Sequence, residues 1–398
     1  MAARIPTTHV GSLPRPKDLL DLMKARASGK NSGNGGDEQA YQEHVRHAVV
    51  DIVRQQRDAG IDIVSDGEQS KIGFFSYVAE RLDGFKPAPG RKLKLFTAEL
   101  RAFPEYYEQY FREAMLGGMI MPLVPLVCTG PVRYTHLEAL DRDIANLKAA
   151  MAETGVKRAF MPAIAPSGVG INEYYKSEEE YFHAVGAAMR TEYKAIVDSG
   201  LDLQVDDPFL CEMLIDPDTD DAHKRRTAEM YVEVINECIK GLPPEKVRFH
   251  TCYSINEGPR VHDAPMSQVA PYLLKINAGA YSFEYGNPRH EHEHRVWKDL
   301  DFPDGKKLIP GLVMHAVNIV EHPELIADRL ERFADAVGRD NVMAGTDCGF
   351  SSQASYKPEV HPTVMWAKFR AMAEGARLAA ERLKPRRAKA KKNSVPGT

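Results

Sequence analysis

KVRFHTCY, residues 246–253, decides the reading of this chain. It reads as a short strand that delivers His250 and Cys252 to the strand's end. Residues i and i+2 of a strand point to the same side, so this imidazole and this thiol can hold one metal ion between them. Such a soft-ligand pair is of the kind zinc selects. Alone, such a pair is more often plain core packing than a metal site. Its meaning depends on whether the rest of the chain supplies further ligands at matching places.

Working outward, the same rhythm of strand and helix recurs on both sides. Upstream, strands are expected from Thr7 to Ser12, Ile61 to Ser65, Arg158 to Ile164 and Leu201 to Val205. Downstream they are expected from Tyr281 to Phe283, Leu308 to Met314 and Asn341 to Ala344. Helices are expected from Asp37 (as N-cap) to about Ala59, Leu137 to Glu153, Ser177 to Ser199, Asp220 to Lys240, Met266 to Ile276, Pro323 to Val337 and Pro362 to Arg382. Eight strands alternating with helices predict an α/β fold of the (β/α)8 TIM-barrel type. An open doubly wound sheet is the alternative, but no Gly-rich dinucleotide fingerprint follows the first strand. Residues of about 72–135 lack clear periodicity and read as a helical and extended excursion between strands two and three, with Pro122, Pro125 and Thr129-Gly-Pro131 interrupting it. Residues 1–383 are expected to be a single barrel. Ala27 to Gly36 reads as a flexible loop, and the basic run 384–398 as a solvated, disordered tail.

The chain has 398 residues, 43% hydrophobic, enough for one large barrel. A formal net charge of −4 argues against bulk nucleic-acid binding. No apolar run reaches membrane-span length, and MAARIPTTHVGS lacks the apolar core of a secretory signal. Five widely spaced cysteines do not make a disulfide scaffold, so a reducing cytoplasm is expected.

Active sites of such barrels lie at the C-terminal ends of the strands. Those ends carry Ser12, Glu68, Asp206, His250 with Cys252, Glu284, His315, and Asp347 with Cys348. Zinc needs three or four N, S or O ligands. Cys348 is the only other cysteine at a strand exit, and Glu284 is the carboxylate on the strand between. Cys128, Cys211 and Cys238 read as packing residues. His290, His292 and His294 would share one side if extended, but a polar loop is the preferred reading. A site of two thiolates, one imidazole and a displaceable carboxylate suits a thiol that enters as a ligand and leaves as a sulfur nucleophile.

These residues resemble the catalytic C-terminal barrel of the cobalamin-independent methionine synthase family and its shorter single-barrel relatives, from Thr7 to about Phe350. By that resemblance, His250, Cys252, Glu284 and Cys348 are the zinc ligands. Gly11 and Ser12 in Val10-Gly11-Ser12, with Glu68 and Asp206, bind homocysteine. Glu212 matches a folate-contacting acid, and His315 resembles the family's proton-donating His, with a one-residue offset after Gly311. Ser12 with backbone N–H groups suits a carboxylate, and two acids suit an α-ammonium.

The chain also departs from the pattern. The large N-terminal half of full-length members is absent, and the Cys252–Glu284 stretch is longer, through Glu257-Gly-Pro-Arg260. The folate-stacking Trp has no counterpart after Pro166, where Tyr174 or Tyr175 are the substitutes. The partners are therefore a small-molecule thiol and a methyl or alkyl donor, with zinc as cofactor. Methyl transfer to homocysteine leads. The alternatives are epoxide:thiol transfer of the coenzyme M type, which the Glu68 and Asp206 pair disfavours by repelling a sulfonate, and a non-catalytic zinc-binding barrel.

Overall fold

The computed structural model describes residues 4–29, 35–91, 96–115, 118–253 and 258–384. Its strands are β1 (Leu82–Pro87), β2 (Leu126–Tyr134), β3 (Phe160–Ile164), β4 (Ile171–Asn172), β5 (Asp202–Asp206), β6 (Val247–His250), β7 (Ala280–Phe283) and β8 (Lys307–Pro310). β3, β5, β6, β7 and β8 pair in that order, all parallel. β3, β5, β6 and β7 are buried throughout, as expected where both faces of a parallel sheet are covered. Helices Glu178–Asp198, Asp221–Ile239, Met266–Leu273 and Pro323–Val337 intervene along the chain. The first two start where the sequence provides a cap, with Ser177 accepting from the Glu180 N–H and Asp220 from that of His223.

The sheet does not stop at its named edges. Leu308 bridges Val342, Thr7 bridges Ala344, and Val64 bridges Ala159, all parallel, while Asp62 and Ile63 N–H groups donate to the Thr7 carbonyl. Parallel contacts thus lead from β8 through residues 342–344, Thr7 and residues 62–64 to β3. Ile63, Phe160, Ala280, Ile309 and Met343 form a small inner cluster of their own. The expected strands at 7–12, 61–65 and 341–344 are reduced to these bridges. At the first two, side chains take over the ladder bonds: Thr7 N–H donates to Asp62 Oδ2 at 3.0 Å and Ser65 N–H to Gln56 Oε1 at 2.9 Å.

The segment from 72 to 135 is more regular than expected. β2 pairs with β1 antiparallel and with β4 parallel. Gly130 and Pro131 do not break β2. Its partner register slips between Asp83 and Phe85, where Gly84 has φ 99° and a Cβ would meet the Pro131 carbonyl at 2.7 Å. Only glycine lets the chain bulge there past a proline that cannot donate. Thr97–Ala102 and Pro104–Tyr110 are helical, and Phe96, Tyr107 and Tyr110 make a separate apolar cluster.

The second long helix starts at Gly35, two residues before Asp37, whose side chain lies outside the described residues, as do residues 30–34 of the expected loop. Residues 254–257 and the basic stretch after Lys384 lie outside them too. Among the described residues no helix is long and apolar enough to cross a membrane.

Candidate active site

Parallel strands bring their C-terminal ends to one edge. In the register of β5, β6 and β7, Asp206 pairs with His250 and His250 with Ser282. Cys252 follows two residues after β6 ends, and Cys348 follows the Gly311–Gly345 bridge. Ligand atoms of His250, Cys252 and Cys348 all lie within 4.8 Å of one another, and all three residues are buried.

The donor set fits a metal ion. His250 accepts or donates through Nδ1 to Ser282 Oγ at 3.1 Å, while its Nε2 is buried without a hydrogen-bond partner. Burial, then the nearby Arg248 charge, pushes the imidazole down to about 3, so the ring is neutral, the form that ligates. The Cys348 thiol is held well above its ordinary value by its hydrogen bond with Cys252 and by burial. A cation between the two sulfurs reverses that balance.

Glu284 stands outside the three-residue group. Its Oε1 accepts from Tyr253 N–H at 2.9 Å, and its Oε2 from Asn287 Nδ2 at 3.1 Å and Arg289 at 3.2 Å. Burial pushes this carboxyl up to about 7, against the opposing Arg289 charge.

A cleft of about 1360 Å³, counted out to its open mouth, reaches the three ligands. Ser12, Glu68, Asp206, Glu212 and His315 line it as well; Gly11 does not, and packs against Pro162 instead. Ser12 Oγ lies 3.3 Å from Ser352 Oγ, and a Cβ on Gly349 would fall 2.0 Å from it, so only glycine leaves room there. Glu68 sits at φ 55°, an uncommon conformation for a side-chain-bearing residue, held by the Asp66 carboxylate, which accepts its N–H at 2.9 Å. Asp206 accepts from Gln204 at 2.7 Å, and burial followed by the Glu68 charge holds its carboxyl well above the usual range. Asp207 accepts from Phe209 and Leu210 N–H groups, starting the short helix Phe209–Leu214 that presents Glu212. Glu212 is tied down on both oxygens, by Phe96 N–H at 2.6 Å and Arg260 at 3.4 Å.

Several functional positions were not legible. Lys71 donates to Glu68 at 3.1 Å and to the Pro162 carbonyl at 2.8 Å, fully buried, so Glu68 does not act as a lone acid. Its one sequence signal is the three-residue spacing from Glu68. Phe74, Phe75, Phe96, Met119, Leu123 and Phe209 form the outer, apolar part of the cleft. Tyr174 and Tyr175, the expected stacking residues, do not line it: Tyr174 is half exposed, and Tyr175 packs on Tyr181 and accepts from Val132 N–H. The His290, His292 and His294 run is a 3₁₀ turn, so alternation does not align the rings, and no metal-competent group forms there among the described residues. His290 is instead buried between Asp263 and Glu293. Cys128, Cys211 and Cys238 are buried apart from the metal-competent group.

Comparison with known proteins identifies the family. The methionine synthase of Sulfolobus acidocaldarius is 25% identical over 347 residues, 87% of this chain and 85% of that protein. That of Sulfurisphaera tokodaii is 26% identical over 351 residues, 87% and 86% of the two chains. The structure of a B12-independent methionine synthase from Shewanella sp. W3-18-1, in complex with selenomethionine, superposes with a TM-score of 0.70 at 21% identity, covering 96% of this chain and 99% of that one, and so shares the fold. A model of the cobalamin-independent synthase catalytic domain matches residues 5–92 and 172–369. Those two stretches span more than half of the chain and contain all the expected metal, homocysteine-binding and proton-donating residues, so the chain belongs to the cobalamin-independent methionine synthase catalytic-domain family.

Proposed function

We propose that this protein is a zinc-dependent S-methyltransferase that converts homocysteine to methionine. The observation that carries this reading is the convergence of His250, Cys252 and Cys348 at the floor of a cleft that also holds Ser12, Glu68, Asp206 and His315. His250, Cys252 and Cys348 would hold zinc, which would lower the pKa of a bound substrate thiol and so supply a sulfur nucleophile at neutral pH. Glu284 would supply the fourth, exchangeable ligand. The chain's own groups do the rest. Ser12 and the backbone N–H groups after Gly11 receive the α-carboxylate. Glu68 and Asp206 hold the α-ammonium, whose charge favours the ionised form of Asp206. His315 donates a proton to the departing nitrogen of an N-methyl donor. The apolar outer cleft excludes water and, with Glu212, receives the donor.

The fold behind this is a single (β/α)8 barrel over residues 1–383, with about 72–135 inserted between its second and third strands. The parallel contacts from β8 round to β3 support closure, and the family match's gap from residue 93 to 171 supports the insertion. The cytoplasm is the proposed location. One observation favours the second reading, thiol addition to an epoxide: the buried Lys71 ammonium offsets the acid pair that would repel a sulfonate thiol.

The test is zinc-loaded protein given homocysteine and a donor carrying a labelled methyl group, as a folate or a corrinoid. Label in methionine is expected. No label with either donor, together with consumption of a sulfonate thiol by an epoxide, would replace this reading with the second.

A further inference from the structure

A chain of opposite charges runs from the outer cleft to the metal end. Glu212 meets Arg260; Arg260 meets Asp263 at 2.8 Å; Asp263 meets Arg289; and Arg289 meets Glu284 at 3.2 Å. His290 flanks it, donating to Asp263 and Glu293 and stacking on Tyr253 at 4.0 Å. Most of these side chains are buried, so the pairs act with little screening. At its inner end the carboxylate of Glu284 is close to saturated. Each carboxylate oxygen has about two lone-pair sites. Oε2 uses both, on Asn287 and Arg289, and Oε1 uses one, on Tyr253 N–H.

We propose that Arg289, with Asn287 and the Tyr253 N–H, is a cradle that keeps Glu284 a weak, one-oxygen ligand and receives its charge when the substrate thiol displaces it. Arg289 is a positioning residue: it touches neither thiol nor donor. This rests on the reading of Glu284 as the exchangeable ligand. The guanidinium competes with the metal for the same carboxylate. Removing it strengthens the Glu284 bond to the metal and makes the thiol's entry harder. Asp263 restrains Arg289 from the other side, so loosening Asp263 acts in the opposite sense.

The experiment compares zinc-loaded wild type, Arg289→Met, Arg289→Lys and Asp263→Asn by chelator competition without thiol, and by X-ray absorption during a homocysteine titration. For Arg289→Met, zinc is expected to bind about tenfold tighter and the oxygen-to-sulfur replacement to need about tenfold more thiol, the weight of one charge-assisted bond. Arg289→Lys should recover most of both, and Asp263→Asn should shift both about threefold the other way. A disturbed fold would weaken zinc in every variant, so the opposite signs are what the cradle requires. Arg289→Met indistinguishable from wild type, with oxygen replaced normally, overturns the cradle alone. A wild type that loses no oxygen ligand, with Glu284→Gln unchanged in zinc affinity, overturns the Glu284 reading and the cradle together.

Discussion

The two ends of the cleft are built in different ways. The metal end is assembled from strand exits of one parallel sheet: His250 closes β6, Asp206 closes β5, and Cys348 follows a bridge to the strand beside it. Strand geometry fixes such side chains closely. The outer end takes Phe96, Met119 and Leu123 from a segment the family match leaves out, and presents mainly apolar surface. Chemistry common to a family belongs on the rigid end. The part free to differ between members, the grip on the donor, belongs on the other. Substitutions at the two ends should therefore fail differently.

The largest effect should come from the metal end. Cys348→Ser is expected to lower bound zinc to a small fraction of a mole per mole and to reduce methionine formation by more than about a hundredfold, because partners one shell further out already cost about 10–100-fold. Elemental analysis beside the activity assay checks it, and full zinc with full activity would end the assignment. His315→Asn should keep its zinc and lose about a hundredfold in kcat, the typical worth of a positioned proton donor. With a methylsulfonium donor, whose leaving group needs no proton, that loss should nearly vanish. An equal loss with both donors would remove His315 from the proton's path.

The same contrast governs what could be read from sequence. His250 and Cys252 were readable because metal ligands are few residue types and strands have a fixed period. Glu68, Asp206 and His315 were readable because strand ends are where such folds collect polar groups. The Glu284 environment was not. Asn287 and Arg289 lie in an irregular stretch, and nothing in their spacing tells a carboxylate-binding pair from a solvated loop. Lys71 carries no sequence signal beyond its three-residue spacing from Glu68, and only the fold buries it against that carboxylate. The outer wall was the least legible. Phe74, Phe75 and Leu123 fall in the stretch that showed no clear periodicity, and apolar residues carry no mark of whether they face a core or a cleft. The strands at 7, 61 and 341 were placed correctly but overestimated in length, at the first two because propensity cannot see Asp62 and Gln56 taking the N–H groups.

Behind the metal end, His290 offers a test by pH. Burial lowers its basicity, but bonds to Asp263 and Glu293 outweigh that and raise it to about 9 from an ordinary 6.5. A raised folded-state value means the contribution is complete below pH 6.5 and lost as pH climbs through about 9. It amounts to about 3 kcal/mol at most. Urea midpoints of wild type should fall between pH 6 and 9.5 by more than those of His290→Gln. Parallel pH profiles would show that the imidazolium does not hold this shell.

At the outer end the expected effects are smaller and more selective. Phe96 is buried, stacks with Tyr107 and Phe111, carries Arg260 over its ring at 4.9 Å, and lends its N–H to Glu212. Its backbone role survives substitution, while its ring is what the cleft would lose. Phe96→Leu should therefore raise the KM for the methyl donor by about tenfold, the worth of part of an aromatic face. Zinc content and the KM for homocysteine should stay where they are, since Ser12, Glu68 and Asp206 belong to the other end. If both KM values rise together, the cleft is not divided as its construction implies, and the Glu212–Arg260 end of the ion-pair chain is the place to look for the connection.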